Sequence, residues 1–409
     1  MLDTAEIARR VTETRDTLRA ALPGYREIFR EVEAAITEQA EAIASRLAQG
    51  DPVVPIIPFA QIAAATVPPE AAEAVRRHGC AIIRGSVPRA EAEGWDRDLH
   101  AYLAENRYIE HAKSRMGLDK YFSRMKSGKP QIYGIYWSKP QVAARQHHGL
   151  AETRAWLNRL WRWEGHFTPE RECTYADRIR QREPGNDTLG LSPHMDGGTV
   201  ERWTDPGYRH VYRHILSGDW RAHDPWDGEG RTETREIPSA AVCQVFRTFQ
   251  GWTALTPQGP GDGTLQLVPM MGAMPYMLLR GLQDDTADFC GAEAGRALFA
   301  SERWHAPLLR GMVPLPQVEP GDTVWWHPDV VHGVENLHRG KLYSSVIYIG
   351  AAPDCAKNRA FLPGQKAAFL AGRSAPDFAP EDYETQFAGR ATEADLSPLG
   401  RRQMGFDAW

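Results

Sequence analysis

From about Pro130 onward, short apolar and β-branched runs separated by Gly and Pro limit the fold more than any other feature of the chain. Many strand-length runs without a regular helix between them are typical of a β-sandwich or barrel and disfavour a doubly wound parallel sheet. We therefore expect a mainly β core. The predicted strands cover residues 131–137, 175–182, 242–255, 264–269, 323–327 and 343–350.

The N-terminal part has a different pattern. Residues 3–49 carry apolar side chains at helical spacing, interrupted at Pro23 and Gly24, and this predicts two helices. A further helix is predicted over 69–78, a strand over 80–85 and another helix over 90–106. We expect an α+β chain in three parts. These are a helical N-terminal region over residues 1–110, a β core over 111–350, and a C-terminal extension over 351–409 that wraps the core and contains a helix at 365–372.

The composition excludes several classes of protein. With 42% hydrophobic and 25% charged residues the chain is too apolar to be disordered, and no stretch approaches the ~20 apolar residues of a membrane helix. A formal charge of −5 disfavours an extended nucleic-acid surface. The N-terminus lacks the pattern of a secretory signal, and the five cysteines are scattered singly. We expect a cytoplasmic chain with reduced thiols and neither nucleic-acid nor membrane partners.

A His-x-Asp triplet, His194 and Asp196, is the strongest sign of chemistry. Side chains two residues apart in an extended chain lie on the same face, so these two can bind one metal ion. His332 offers a third ligand, in a segment that runs from a Pro-Gly-Asp turn at 320–322 through a strand to a second turn. Two imidazoles and one carboxylate form the facial triad of non-haem Fe(II) oxygenases, and the same set can hold Zn²⁺.

Together these motifs resemble the Fe(II)/2-oxoglutarate-dependent oxygenase superfamily, most closely its phytanoyl-CoA-hydroxylase-like members. In those proteins the first two ligands sit in HxD, a G-x-L-x-x-V-P strand follows, here at 263–269, and the distal histidine comes after a pGD segment. More narrowly, residues 177–182, 193–203 and 246–255 resemble a microbial family known as domain of unknown function 1479, or YbiU-like. The narrower resemblance covers nearly the whole chain.

The resemblance implies that the core is a double-stranded β-helix, a jelly-roll of the cupin type, with flanking helices. It further implies Fe(II) bound by His194, Asp196 and His332, with 2-oxoglutarate and O₂ as cosubstrates. The implied enzyme is a dioxygenase that hydroxylates or otherwise oxidises a C–H bond of a small molecule, releasing succinate and CO₂.

A basic residue that binds the distal carboxylate of 2-oxoglutarate is harder to assign. The superfamily places an Arg or Lys on the strand after the distal histidine, and here the nearest candidate is Lys341, nine residues beyond His332. Arg202, shortly after the ligand pair, is a candidate for substrate binding, and the arginines together indicate a small anionic or amino-acid-like substrate. The rival candidates for the carboxylate are Arg178, Arg180 and Arg247.

Two functions from other classes are also compatible with the sequence. A zinc-dependent hydrolase or isomerase on a cupin-like barrel would use the same three ligands to polarise a carbonyl or activate water. A non-catalytic small-molecule-binding barrel would keep the fold but lose the basic residue for the cosubstrate, and the atypical position of Lys341 allows this.

Overall fold

Two β-sheets with helices packed around them make up most of the structure. The computed structural model describes residues 4–114, 130–188, 193–196, 201–235, 243–291 and 297–409. Its strands are β1 (Ile56–Pro58), β2 (Cys80–Arg84), β3 (Ile132–Tyr133), β4 (Thr168–Glu172), β5 (Ile179–Arg182), β6 (His194–Met195), β7 (Phe249–Ala254), β8 (Leu265–Leu267), β9 (Leu298–Phe299), β10 (Val313–Pro314), β11 (Thr323–Trp326), β12 (His332–Val334), β13 (Ser344–Ala351) and β14 (Pro353–Asp354).

The helices occur before, between and after the strands. They are α1 (Thr4–Ala21), α2 (Tyr25–Ala48), α3 (Phe59–Ala63), α4 (Pro69–His78), α5 (Arg89–Glu105), α6 (Tyr108–Ser114), α7 (Lys139–Arg145), α8 (His148–Asn158), α9 (Glu201–Thr204), α10 (Pro206–Val211), α11 (Arg213–Leu216), α12 (Ala273–Arg280), α13 (Glu302–Leu309), α14 (Ala356–Ala371) and α15 (Pro398–Gln403). Short 3₁₀ turns lie at Trp220–Ala222, Asp288–Gly291, Tyr383–Thr385 and Glu393–Asp395. Of the described helices, none is both long and apolar enough to cross a lipid bilayer.

The larger sheet has the order β1-β2-β11-β7-β13-β5-β3, and the smaller has the order β10-β8-β12-β6-β9. A separate ribbon pairs β14 with β4. Between the described strands, β1 and β2 run parallel and the other pairs are antiparallel. From β5 to β13 the chain crosses repeatedly between the sheets, because β5, β7, β11 and β13 lie in the larger sheet while β6, β8 and β12 lie in the smaller one.

Both faces of the larger sheet are buried, and strand alternation decides which residue serves which face. On β11, Val324 and Trp326 point into a hydrophobic cluster shared with the smaller sheet and with α1, α2 and α12. Trp325 between them points into a second cluster, shared with α5 and α8. We call the face that carries Val324 and Trp326 the inner face. On β13 the same alternation places Val346 and Tyr348 on the inner face.

Most predicted elements at the N-terminus are confirmed. The two helices predicted within 3–49 are α1 and α2, separated around Pro23 and Gly24, and the helix predicted over 69–78 is α4. The strand predicted over 80–85 is β2 and the following helix is α5. The helix predicted at 365–372 is the end of the longer α14.

The expectation that no regular helix lies between the core strands is wrong. Helices α7, α8 and α12 lie there, each of two or three turns. Gly and Pro near the ends of these helices made the sequence resemble a series of short strands and turns. Helix α7 has Pro140 in its first turn, where proline is tolerated, and the Ser138 side chain accepts a hydrogen bond from Gln141 N.

Candidate metal centre

Three predicted ligands meet between two neighbouring strands of the smaller sheet. His194 on β6 is the direct partner of His332 on β12, so the two imidazoles project side by side from one face. Asp196 follows just beyond β6. Its Oδ1 lies 3.6 Å from His194 Nε2, and its Oδ2 lies 3.3 Å from His332 Nε2. One ligand atom from each residue falls within 4.8 Å of the other two.

These separations fit a common metal ion. Bonds of about 2.0–2.2 Å to nitrogen and oxygen place neighbouring ligand atoms about 3.0 Å apart in an octahedral site and about 3.4 Å apart in a tetrahedral one. The carboxylate–imidazole distances of 3.3 and 3.6 Å are close to both values. A small contraction of the side chains around an ion would complete three adjacent coordination positions. The donor set therefore fits Fe(II) and also Zn²⁺.

Neighbouring groups orient the ligands. His332 Nδ1 lies 3.2 Å from the carbonyl oxygen of Val330, and a proton on Nδ1 leaves the Nε2 lone pair facing the cluster. Trp326 on the inner face of β11 donates its indole N–H to Asp196 Oδ2 at 3.0 Å. The cluster is thus held from both sheets.

The electrostatics of the cluster favour metal binding. Burial by itself raises the pKa of Asp196, but His332 and His194 together hold that pKa well below its usual range. Burial lowers the pKa of His332 to about 4, although Asp196 partly opposes this. At neutral pH, Asp196 is therefore an anion and His332 is neutral, which are the protonation states that metal ligands require.

The contact from Trp326 gives a first prediction. A Trp326→Phe variant keeps a ring beside His332, where the two rings now lie 4.9 Å apart, but loses the N–H that fixes Asp196. We expect metal affinity to fall by about 10–100-fold, as is usual when a partner of a ligand is removed. Competition with a metal-binding dye measures this.

The matched control is Trp325→Phe. The indole of Trp325 donates to Thr323 Oγ1 at 2.8 Å on the opposite face of the same strand. This variant should retain the wild-type affinity. Equal metal affinity in the two variants would contradict the role given to Trp326.

Two arginines on the inner face of β5 differ sharply in their surroundings. Arg182 is fully buried. Its guanidinium donates to four main-chain carbonyls at 2.7–3.2 Å, those of Asn186, Gly263, Glu335 and Asn336. It therefore fastens the loops beside β8 and β12 to the larger sheet.

A stability prediction follows for Arg182. Arg182→Met removes the donors and leaves buried carbonyls without partners, each costing about 1–3 kcal/mol. We expect the free energy of unfolding to fall by at least about 3 kcal/mol in urea denaturation. Arg180→Gln on the same strand should cost under about 1 kcal/mol, because Arg180 makes no comparable set of bonds to the part of the chain that the structure describes. Equal unfolding midpoints for the two variants would refute this assignment.

Arg180 has a charge that the described residues do not neutralise. It is half-buried, and its one hydrogen bond among those residues is a long contact of 3.4 Å to Gly263 O. No described carboxylate lies within 4.0 Å of it. Burial lowers its pKa, and Tyr348 on the inner face of β13 opposes this. The charge of Asp196 also acts on Tyr348, so this tyrosine interacts with both Arg180 and the cluster.

The other predicted basic residues occupy different places. Arg247 precedes β7 and interacts electrostatically with both Asp196 and His332. Arg178 stacks over Phe378 at 4.6 Å and lies beside Asp177. Both are half-buried.

Two predicted residues are not brought to the inner face by the described structure. Lys341 is exposed in the turn between β12 and β13. The position nine residues beyond His332 lies in a solvent-exposed turn, because β13 begins only at Ser344. Arg202 belongs to α9, but its side chain lies outside the described residues.

Sequence reasoning missed several residues near the cluster. Trp326 and Tyr348 lie on the inner face beside Val324 and Val346, so the alternation within each strand could have indicated them. No pattern in the sequence indicated that Asp377, in the C-terminal extension, would lie near the predicted site residue Arg247. Only the folded path of the extension brings it beside residues before β7, where it accepts a hydrogen bond from Gln244 N at 2.9 Å.

Comparison with known proteins decides the family. The sequence profile of the Gig2-like family matches residues 5–406. The chain belongs to the Gig2-like family. It is 42% identical over 405 residues to "Uncharacterized protein YbiU" of Escherichia coli (strain K12), an alignment that covers 97% of this chain and 96% of that one. The narrower resemblance seen in the sequence is thereby confirmed.

Solved structures of other Gig2-like proteins share the whole fold. The "Putative Oxidoreductase from Salmonella typhimurium LT2" is 39% identical, with a TM-score of 0.92, and the alignment covers 99% of this chain and 98% of that one. "GlcNAc Inducible Gene 2, GIG2 (DUF1479) from Candida albicans" is 27% identical, with a TM-score of 0.75, over 100% of this chain and 90% of that one. Both alignments span nearly the whole of this chain.

Proposed function

We propose that this Gig2-like protein is an Fe(II)- and 2-oxoglutarate-dependent oxygenase that oxidises a C–H bond of a small anionic or amino-acid-like molecule. The observation that carries the proposal is the His194, Asp196 and His332 cluster, together with Arg180 on the inner face of β5, whose charge no described carboxylate neutralises within 4.0 Å. A metal centre and a half-buried cation, both directed to the interior between the two sheets, suit a chelating dicarboxylate. The description of the Salmonella relative as a "Putative Oxidoreductase" agrees with redox chemistry.

The strand order supports the corresponding fold. Four consecutive neighbours in the larger sheet are β5-β13-β7-β11. Four consecutive neighbours in the smaller sheet are β6-β12-β8-β10, and two of these, β6 and β12, carry the candidate ligands His194 and His332. Eight strands that cross between two sheets in this way form a jelly-roll. We assign these strands to a double-stranded β-helix, with α1 and α2 packed beside it.

The residues have distinct tasks in the reaction. Fe(II), when bound with 2-oxoglutarate and O₂, supplies the oxidising power for C–H cleavage and yields succinate and CO₂. His194, Asp196 and His332 would hold the ion with two imidazoles and one carboxylate, a ligand set that leaves positions for the cosubstrates. Trp326 keeps Asp196 in place, and Arg180 neutralises the distal carboxylate of the cosubstrate. Buried apolar side chains around them, such as Met195, Leu267 and Val346, exclude water.

One observation favours a second candidate. The carboxylate–imidazole separations also fit a tetrahedral ion, so a zinc-dependent hydrolase or isomerase is compatible with the cluster. Such an enzyme has no need of a second anion site opposite the metal. Arg180, whose charge no described carboxylate neutralises, therefore argues for the oxygenase.

Product analysis tests the proposed reaction. Purified protein with Fe(II), 2-oxoglutarate and ascorbate should release succinate slowly in air, with O₂ consumed in step, even without the primary substrate. Protein loaded with Zn²⁺ should release none. Succinate formation equal to that of a protein-free control, together with hydrolytic activity of the Zn²⁺ form, would replace the oxygenase by the hydrolase.

A further inference from the structure

One row of paired residues across the larger sheet includes a residue that contacts the candidate metal cluster. Gln250 on β7 pairs with Trp326 on β11 and with Gly350 on β13. Because Trp326 bonds to Asp196, this whole row lies at the height of the cluster. Arg247 joins the row from the chain just before β7, where its guanidinium donates to the Gln250 side-chain oxygen.

Gly350 makes room for Arg247 at this level. A Cβ atom on Gly350 would lie 3.2 Å from Arg247 Cδ, which is tighter than an ordinary van der Waals contact. The absence of a side chain there lets the arginine lie across the end of β13. Its guanidinium also stacks over the ring of Tyr175 at 4.8 Å. Arg247 is therefore held in one orientation by a ring and an amide.

Arg180 lies at a different height on the same face. It pairs with Val346 on β13, four residues before Gly350, and four residues of strand span about 13 Å. Tyr348 lies between the two levels. A cosubstrate that extends from the cluster to Arg180 would leave Arg247, which is bonded to Gln250 at the other level, for a second molecule.

The charge of Arg247 has no direct counter-ion in the described part of the chain. Among the described residues no carboxylate lies within 4.0 Å of its guanidinium, although Asp196, Asp177 and Asp377 act on it from further away. Asp196 is committed to the metal. An anion that binds to Arg247 would replace a missing short-range partner, and a planar carboxylate suits the free edge of a guanidinium.

The C-terminal extension forms one side of this position. Phe378 packs 5.9 Å from the ring of Tyr175 and lies beneath the guanidinium of Arg178. The neighbouring Asp377 is fixed by Gln244 N, three residues before Arg247 in the chain. The extension thus borders the same space as the arginine.

We infer that Arg247 binds a carboxylate of the primary substrate, in a subsite bounded by Tyr175 and Phe378 and separate from the 2-oxoglutarate position. This inference rests on the proposed function, since it divides two arginines between cosubstrate and substrate. The expected substrate is a small carboxylate whose reactive C–H bond lies close to the carboxylate that Arg247 binds.

Matched pairs of small molecules test the subsite. The probes are butyrate with butyramide, phenylacetate with phenylacetamide, and N-acetylalanine with N-acetylalaninamide. Binding is measured by ligand-observed NMR on protein loaded with redox-inert Zn²⁺ and saturated with 2-oxoglutarate. We expect at least one carboxylate to bind wild type at least about 10-fold more tightly than its amide, since only the carboxylate gains the charge-assisted bonds.

Variants locate the binding. Arg247→Gln should lose the preference for the carboxylate and keep its Kd for 2-oxoglutarate within about threefold, whereas Arg247→Lys should recover part of the preference as a point charge. The control is Arg310→Gln, at an exposed arginine whose nearest acid, Glu41, is 4.0 Å away. It should behave as wild type.

Different results would refute the carboxylate subsite at Arg247 and the proposed 2-oxoglutarate-dependent activity. If no probe carboxylate binds wild type, or if Arg247→Gln binds it unchanged, the subsite is refuted. If Arg247→Gln instead loses 2-oxoglutarate, Arg247 is the cosubstrate residue and the division of roles is wrong. If wild type fails to bind 2-oxoglutarate at all, the proposed function fails, and the same probes on Zn²⁺-loaded protein still decide whether Arg247 holds a carboxylate.

Discussion

A His332→Ala variant is expected to bind Co(II), a stand-in for Fe(II), at least about 100-fold more weakly than wild type. Loss of a partner of a ligand usually costs 10–100-fold, and loss of a ligand itself should cost more. The remaining His194 and Asp196 would hold the ion through two donors. Equilibrium dialysis with metal analysis measures the affinity and the stoichiometry.

Two further variants distinguish the loss of a metal ligand from a general loss of folding. His332 is buried, so the alanine could loosen the core. Asp196→Asn keeps the size of the side chain and an oxygen for the Trp326 N–H, and it should weaken Co(II) binding by a similar factor. The control His148→Ala, at an exposed histidine in the first turn of α8, should bind like wild type. Stoichiometric Co(II) binding by His332→Ala, with unchanged affinity, would show that the metal lies elsewhere.

Arg180→Gln is expected to raise the Kd for 2-oxoglutarate by at least about 30-fold in metal-loaded protein. Truncating one partner of a buried charge pair costs about 2–5 kcal/mol, and each 1.4 kcal/mol is a factor of ten. Arg180→Lys should recover part of the affinity without the two-pronged contact. Isothermal titration calorimetry gives the Kd values directly.

Lys341→Gln is the matched control for this comparison. Lys341 is the basic residue that counting along the sequence favours, but it is exposed in a turn. Its replacement should change the Kd by less than about twofold, as expected for a solvated charge. A large effect of Lys341→Gln and none of Arg180→Gln would return the cosubstrate role to the residue that the sequence indicated.

The three candidate metal ligands could be predicted because residue type and local spacing define them. His194 and Asp196 stand two residues apart, and His332 follows a recognisable turn and strand. Their meeting depends on the register of β6 with β12. Strand β6 has only two residues, which is too short for any hydrophobic pattern to reveal. The resemblance to a family therefore supplied what periodicity could not.

The role of each arginine could not be read from the sequence. Arg180 and Arg182 share one side of β5, and nothing in the alternating pattern separates them. They differ because main-chain carbonyls at 263, 335 and 336 accept hydrogen bonds from Arg182 across distant parts of the chain, while Arg180 makes a single long contact to the described residues. Such differences arise from loop paths, which local sequence does not specify.

The most direct test of the central claim is anaerobic absorption spectroscopy. Purified protein is mixed with Fe(II) and then with 2-oxoglutarate, and the weak visible charge-transfer band of the chelated cosubstrate is followed. We predict that the band appears in wild type, is lost in His332→Ala, and requires much more 2-oxoglutarate in Arg180→Gln. Absence of the band in wild-type protein that binds Zn²⁺ tightly would contradict the oxygenase assignment.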